Sequence, residues 1–161
     1  MKSAWIAGIL IAVCCGLWQL IMGFTGWYKD PVMQNLFWLI ILIQFFCLIW
    51  GLTRTGKEGQ RYWAQVGSGT LMSLLAGMIL FFVAYLFTAL LFPNYFEEMV
   101  ALQRSAFEKA GRTPEEIKFT MDIMARTAKP WVQGISAMTG TVVTGFVCSL
   151  LIAAFVRKRD Q

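Results

Sequence analysis

Four stretches without a single charged residue dominate this sequence. They run from Ser3 to Trp27, Pro31 to Thr53, Tyr62 to Phe96 and Pro130 to Val156. Crossing ~30 Å of hydrocarbon takes ~20 apolar residues in a helix, because lipid offers backbone N–H and C=O groups no partner and a helix satisfies them internally. All four runs are long enough, and the surplus in the third predicts a tilted or protruding helix. With 58% hydrophobic and only 14% charged residues, the chain is far from a soluble composition. The reading is an all-α bundle of four transmembrane helices. It forms a single membrane domain over 1–161, with spans at about 4–24, 33–52, 64–92 and 131–156 and an insertion at 93–130.

Lys2 before an apolar stretch is also how secretory signals begin. This run is longer than their hydrophobic region, however, and offers no small-x-small cleavage site, and Val13 and Cys14 do not suit a lipoprotein signal at the adjacent cysteines. The first span is expected to stay. Orientation follows from the short loops, whose excess of Lys and Arg marks the cytoplasmic face. Lys2, Arg54, Lys57, Arg61, Arg157, Lys158 and Arg159 fall on one side; the other carries Lys29 beside Asp30 and a segment from Phe96 to Lys129 in which six basic residues balance six acidic ones. Both termini are therefore expected in the cytoplasm. Trp5, Trp50, Tyr62 and Trp63 then mark the inner headgroup level, and Trp27, Tyr28, Tyr95 and Trp131 the outer. The net charge of +5 describes a basic rim facing anionic lipid, not a surface for nucleic acid.

The chain has no histidine. Its cysteines, Cys14, Cys15, Cys47 and Cys148, lie inside spans at spacings that fit no metal site, and they read as free thiols. No ionisable residue interrupts a span, which argues against proton-coupled transport, voltage sensing and intramembrane proteolysis. An enzyme of membrane lipids would have only Glu97, Glu98 and the thiols to work with. No catalytic, cofactor-binding or metal-ligating residue is assigned, and no cofactor is expected.

Helices associate in lipid by close backbone approach, so small residues spaced by four point to contact faces. The first span has Ala4, Gly8, Ala12 and Gly16, the third Gly69, Ser73 and Gly77, and the fourth Ala137, Thr141, Gly145, Ser149 and Ala153. The second has only Cys47 and Gly51 among bulky rings. Spans one, three and four are therefore expected to form the tight core, with the second facing more lipid. Ser136, Gly140, Thr144 and Cys148 give the fourth span another small face, suited to a second neighbour or to self-association.

Between Pro93 and Pro130 charged and apolar residues alternate at helical spacing. Phe96, Met99, Val100 and Phe107 share one face of a helix expected to end at Gly111. Thr113-Pro114-Glu115-Glu116 then reads as N-cap, N1 proline and capping box for a second helix lined by Ile117, Met121 and Met124. Each is marginal alone in water, which predicts an extracytoplasmic amphipathic hairpin packed on itself, on the membrane or on a partner. Running the spans in their expected directions also places Gln19, Gln34, Asn35, Tyr85, Thr88, Gln133 and Ser136 in the outer half, with Gln44 nearer the middle. Amides in hydrocarbon need partners. They either tie helices together or line a polar pocket, of Gln19, Tyr85, Thr88, Gln133 and Ser136, suited to a lipid headgroup or small ligand.

Tyr62-Trp63-Ala64-Gln65-Val66-Gly67, Phe92-Pro93-Asn94-Tyr95-Phe96-Glu97-Glu98, Thr113-Pro114-Glu115-Glu116-Ile117 and the close from Gly145 to Lys158 resemble a bacterial membrane family known as domain of unknown function 4199. The resemblance implies a four-helix protein of the bacterial inner membrane with an extracytoplasmic helical insertion, and it supplies no catalytic residue. The functional expectation is a non-enzymatic accessory subunit or scaffold contacting membrane lipids and a membrane-protein partner or a second copy. A lipid- or small-molecule-binding or transport protein is the alternative.

Overall fold

The computed structural model describes residues 2–30, 32–57 and 59–156, and of Lys2 only the backbone. Arg157, Lys158 and Arg159, counted above toward the basic end, lie outside the described residues. The regular elements are all helical: α1 (Lys2–Phe24), α2 (Leu39–Lys57), α3 (Tyr62–Leu86), α4 (Tyr95–Lys109), α5 (Pro114–Thr127) and α6 (Pro130–Val156). Four helical stretches are long and apolar enough to cross a membrane: Ser3–Phe24, Met33–Lys57, Tyr62–Leu91 and Pro130–Val156.

Two of these stretches are not plain α-helix. The second opens with 3-10 helix over Met33–Trp38, and α2 then runs on to Lys57. The third widens into a π turn over Phe87–Leu91 before stopping at Phe92 (φ −133°, ψ 69°), which has left the α region that a following proline disfavours. At ~1.5 Å per residue this third stretch reaches roughly 45 Å, more than the hydrocarbon requires.

Helix α3 is the hub. It packs along α6 on one side and α1 on the other, while α2 bridges α1 and α6 and touches α3 less. The α3–α6 seam is antiparallel and closes by alternation of small residues. Ser149 occupies the space over Gly69, and Ser73 the space over Gly145. Farther along, Gly77 lies against Met138 and Gly134 against the Phe81 ring. Because lipid tails are as apolar as the side chains, such close fits bind helices through dispersion rather than through expulsion of water. On the other side of α3, Gly8 approaches so closely that a Cβ there would sit 2.8 Å from the Met72 carbonyl oxygen.

Of the three spans expected to form the tight core, the third makes close small-residue contacts with both the first and the fourth. Helices α1 and α6 stand at opposite corners and meet through α3. The centre between them is filled by Leu48 and Leu52 of α2, fully buried beside Ile11, Met72 and Ile152. The bulk of α2 is what reaches across a diagonal that small residues cannot span. Its outer face carries exposed Trp38, Leu42 and Phe46, and it remains the helix with the smallest buried share. Exposed Trp63 and Phe155, at 73% and 89%, complete an outer surface suited to lipid as solvent.

Polar groups inside the bundle are paired. The buried Gln44 amide donates to the Thr141 carbonyl at 2.7 Å and reaches Ser73 Oγ at 3.5 Å, tying three helices together. At the basic end, the Gln65 amide in its best-satisfied orientation donates to Thr55 Oγ1 (2.9 Å) and Leu52 O (3.2 Å). Its oxygen accepts from the Gly56 N–H at 2.6 Å. Helix α4 ends at Gly111, whose φ of +70° lets the Arg112 N–H reach back to Phe107 O at 3.1 Å. Helix α5 begins with the capping box: Thr113 Oγ1 accepts from the Glu116 N–H and the Glu116 carboxylate accepts from the Thr113 N–H. The two helices pack on each other, with Ile117 buried and Phe119 and Ile123 exposed.

Candidate functional site

At the end of the bundle opposite Arg54 and Lys57, the chain leaves α1 through a left-handed Gly26 and a 3-10 turn over Trp27–Lys29, then enters the 3-10 segment Met33–Trp38. In 3-10 geometry residues three apart eclipse one another. Gln34 therefore shares a side with Phe37, and Asn35 with Trp38. The segment is fastened to α1 by Trp18, whose indole N–H donates to Leu36 O at 3.1 Å, and to α4 by the contact of the Gln34 amide with Met99 Sδ at 3.8 Å.

These constraints leave a cleft of about 360 Å³ lined by Gln19 and Met22 of α1, Tyr28, Gln34, Asn35, Phe37 and Trp38 of the turn segment, Phe87 of the π turn, Tyr95 and Gln103 of α4, and Gln133 of α6. A second cavity of about 290 Å³ shares Gln19, Phe37, Trp38 and Gln133 with it and continues between α2 and α6 past Ile40, Ile41, Leu80 and Gly140 to Gln44 and Thr141. The pair makes one path, amide-rich above and apolar below. No Asp, Glu, Lys or Arg lines either part. Among the described residues Gln19, Gln103 and Gln133 have no hydrogen-bond partner for their amides.

Two charges behind the Tyr28 wall are engaged with each other. Lys29 Nζ donates to Glu98 Oε1 at 2.7 Å, and the Tyr28 hydroxyl donates to Glu98 Oε2 at 2.5 Å. The hydrogen bond from Lys29, then that from Tyr28, holds the Glu98 carboxyl below the usual 4.5, and the Glu98 bond raises Lys29. Burial first and the Glu98 bond second push the Tyr28 phenol up. Tyr28 thus forms a wall of the cleft while tying the turn to α4. On its far side lies an open hollow of about 420 Å³ between Phe24, Phe92 and Asn94, whose charged groups are this same ion pair.

Of the residues expected in the polar pocket, the fold brings Gln19, Gln133 and Ser136 to this path, and Gln34, Asn35 and Gln44 join them. Tyr85 and Thr88 are not there. Tyr85 is exposed on the outside of α3, and Thr88 is buried with its hydroxyl donating to Ala84 O at 3.0 Å within its own helix. Phe87, on the same buried face of the helix as Leu80 and Ala84, reaches the cleft instead. Gln103 was missed, although Tyr95, Met99 and Gln103 stand four apart and form a legible stripe on α4.

The small-residue stripes are placed as follows. Ala4, Gly8, Ala12 and Gly16 of α1, Gly69, Ser73 and Gly77 of α3, and Gly145, Ser149 and Ala153 of α6 are buried between helices. Ala137 and Thr141 are half-buried and line the lower cavity, and a Cβ at Gly140 would meet nothing within 4 Å. The stripe on α6 therefore divides, its C-terminal half serving the α3 seam and its N-terminal half the cleft. The four thiols are unpaired in disulfides, and no group of His, Cys, Asp and Glu among the described residues is placed to hold a metal ion.

The family model for the protein of unknown function DUF4199 matches residues 6–158. The chain belongs to this family. Neither a curated protein nor a solved structure matches it. With four helices long and apolar enough to cross a membrane, this DUF4199 member has the make-up of a multi-pass membrane protein.

Proposed function

We propose that this protein is a non-enzymatic lipid- or small-molecule-binding protein of the bacterial inner membrane, holding an amphiphile in the amide-lined cleft. One observation carries the reading. Amides from three separate helices, Gln19, Gln103 and Gln133, face one cavity without a protein partner, in a bundle whose deeper amides are all paired. The polar atoms of these three open onto the cleft rather than being sealed inside the protein, so a polar ligand group can pair with them directly. The basic residues Arg54, Lys57 and Arg61 support termini in the cytoplasm, which puts the cleft and the α4–α5 hairpin on the extracytoplasmic side. The test is lipid retained by the purified protein, measured by native mass spectrometry. Gln19→Leu with Gln133→Leu is expected to strip it, whereas Tyr85→Phe and Thr88→Val leave it in place. Equal retention by all variants would refute the reading.

A second reading, an accessory subunit or scaffold, is favoured by Phe119 and Ile123, which stand exposed one turn apart on the outer face of α5. It predicts a specific crosslinked neighbour in native membranes that is lost on Phe119→Ser with Ile123→Ser. Only random crosslinks from that face would count against it.

A further inference from the structure

We infer that the amphiphile held in the cleft carries an uncharged, hydroxyl-rich headgroup of the glycosyl or polyol kind; this rests on the reading of the cleft as a binding site. The lining decides the class. A phosphate or ammonium group drawn into the upper cavity would leave water without meeting a counter-charge in its lining, which holds no Asp, Glu, Lys or Arg, and Lys29 and Glu98 beyond Tyr28 are paired with each other. Burying such an ion unpaired is far more costly than burying a hydroxyl. Each primary amide instead offers two N–H donors and a carbonyl acceptor, which matches a hydroxyl as both donor and acceptor. Gln19, Gln103 and Gln133 supply that pairing from three directions, and the Trp38 and Tyr95 rings supply apolar faces for the C–H side of a sugar ring. Below them the path runs between α2 and α6 along Ile40, Ile41 and Gly140 to Gln44, whose amide is already paired with Thr141 O, and an acyl chain fits there. A polar chamber opening into an apolar slot selects a headgroup and a tail together.

The test uses the full chain in a detergent without a sugar headgroup, such as an amine oxide, since a maltoside would itself compete. Monogalactosyl diacylglycerol, phosphatidylethanolamine and phosphatidylglycerol of matched chains are added in equal amounts, and retained lipid is read by native mass spectrometry. The galactolipid is expected to be retained about tenfold over either phospholipid. Retention is expected to fall to the phospholipid level in Gln19→Leu with Gln133→Leu. Gly140→Leu adds bulk to the slot wall at a position where a Cβ meets nothing within 4 Å and is expected to reduce it as well. Phospholipid retained as well as or better than galactolipid would overturn the inference while leaving the cleft a lipid site. Retention of none of the three overturns both. Methyl galactoside at equal concentration is expected not to displace the galactolipid, and displacement would overturn the part played by the tail.

Discussion

Replacing Gly145 by alanine adds one methyl group to the α3–α6 seam, and its cost can be worked from the geometry. The new Cβ would fall inside van der Waals contact of both Ser73 Oγ and Ser73 Cβ. The hydroxyl can rotate away, but the Cβ is fixed to the α3 backbone, so the helices themselves must part. Overpacking of this kind typically costs ~1–3 kcal/mol, and a gap of ~0.5–1 Å forfeits a quarter to a half of each dispersion contact nearby. The Gln44 bond to Thr141 O, 2.7 Å long and one turn away, is stretched by the same movement, adding ~0.6 kcal/mol. We therefore expect a destabilisation of ~2–3 kcal/mol. The assay is unfolding in mixed micelles with increasing dodecyl sulfate, followed by fluorescence of the seven tryptophans. Gly140→Ala is the control on the same helix and is expected to shift stability by under ~0.5 kcal/mol, since nothing lies within 4 Å of its Cβ. Moving the side chain across the seam, as Ser73→Gly with Gly145→Ser, is expected to restore most of the loss. If Gly140→Ala cost as much as Gly145→Ala, or the exchange recovered nothing, the small-for-small account of the seam would be wrong.

Gln44→Leu removes a buried tie between α2, α3 and α6, and a loss of ~0.6–1.7 kcal/mol in the same titration is expected; no loss would mean that packing alone holds α2. Glu98 has a carboxyl depressed below 4.5 chiefly by the Lys29 bond, so the tie between the turn and α4 contributes above that pH and is lost as pH falls through the lowered value. Exchange protection at residues 27–30, taken relative to the intrinsic amide rate at each pH, is expected to fall below about pH 4.5 in the parent and to stay level over that range in Glu98→Gln; identical profiles would sink the assignment. Thr113→Ala removes half of the capping box and is expected to cost ~1 kcal/mol, read as faster exchange in the first turn of α5 with α4 unchanged.

The spans and the punctuation of the insertion were legible before any coordinates, because each rests on a local rule. Uncharged length declares a helix that can cross a membrane, Gly111 declares a left-handed stop, and Thr113 to Glu116 declares a helix start. The small stripes on α1, α3 and α6 were legible too, since close approach needs small side chains wherever the partner lies. What a stripe does not encode is its partner: the fold gives the stripes of α1 and α6 each to α3, sets those two helices at opposite corners, and fills the gap between them with α2.

The cleft shows the same division. Gln19, Gln133 and Ser136 could be grouped from span direction alone, as residues at one depth. Tyr85 and Thr88 lie at that depth as well, but Tyr85 falls on the exposed face of α3 and Thr88 is buried with its hydroxyl on Ala84 O, while Phe87 reaches the cleft. The 3-10 segment Met33–Trp38 likewise brings Gln34 and Asn35 in beside their eclipsed rings. Sequence by itself determined which segments are helices long and apolar enough to cross a membrane, and that the apolar run within each is free of charge, because burial in hydrocarbon is a property of each run of residues. Only the tertiary structure decided which amides face one another across a cavity, because that depends on helix phase and on which corners of the bundle the helices occupy.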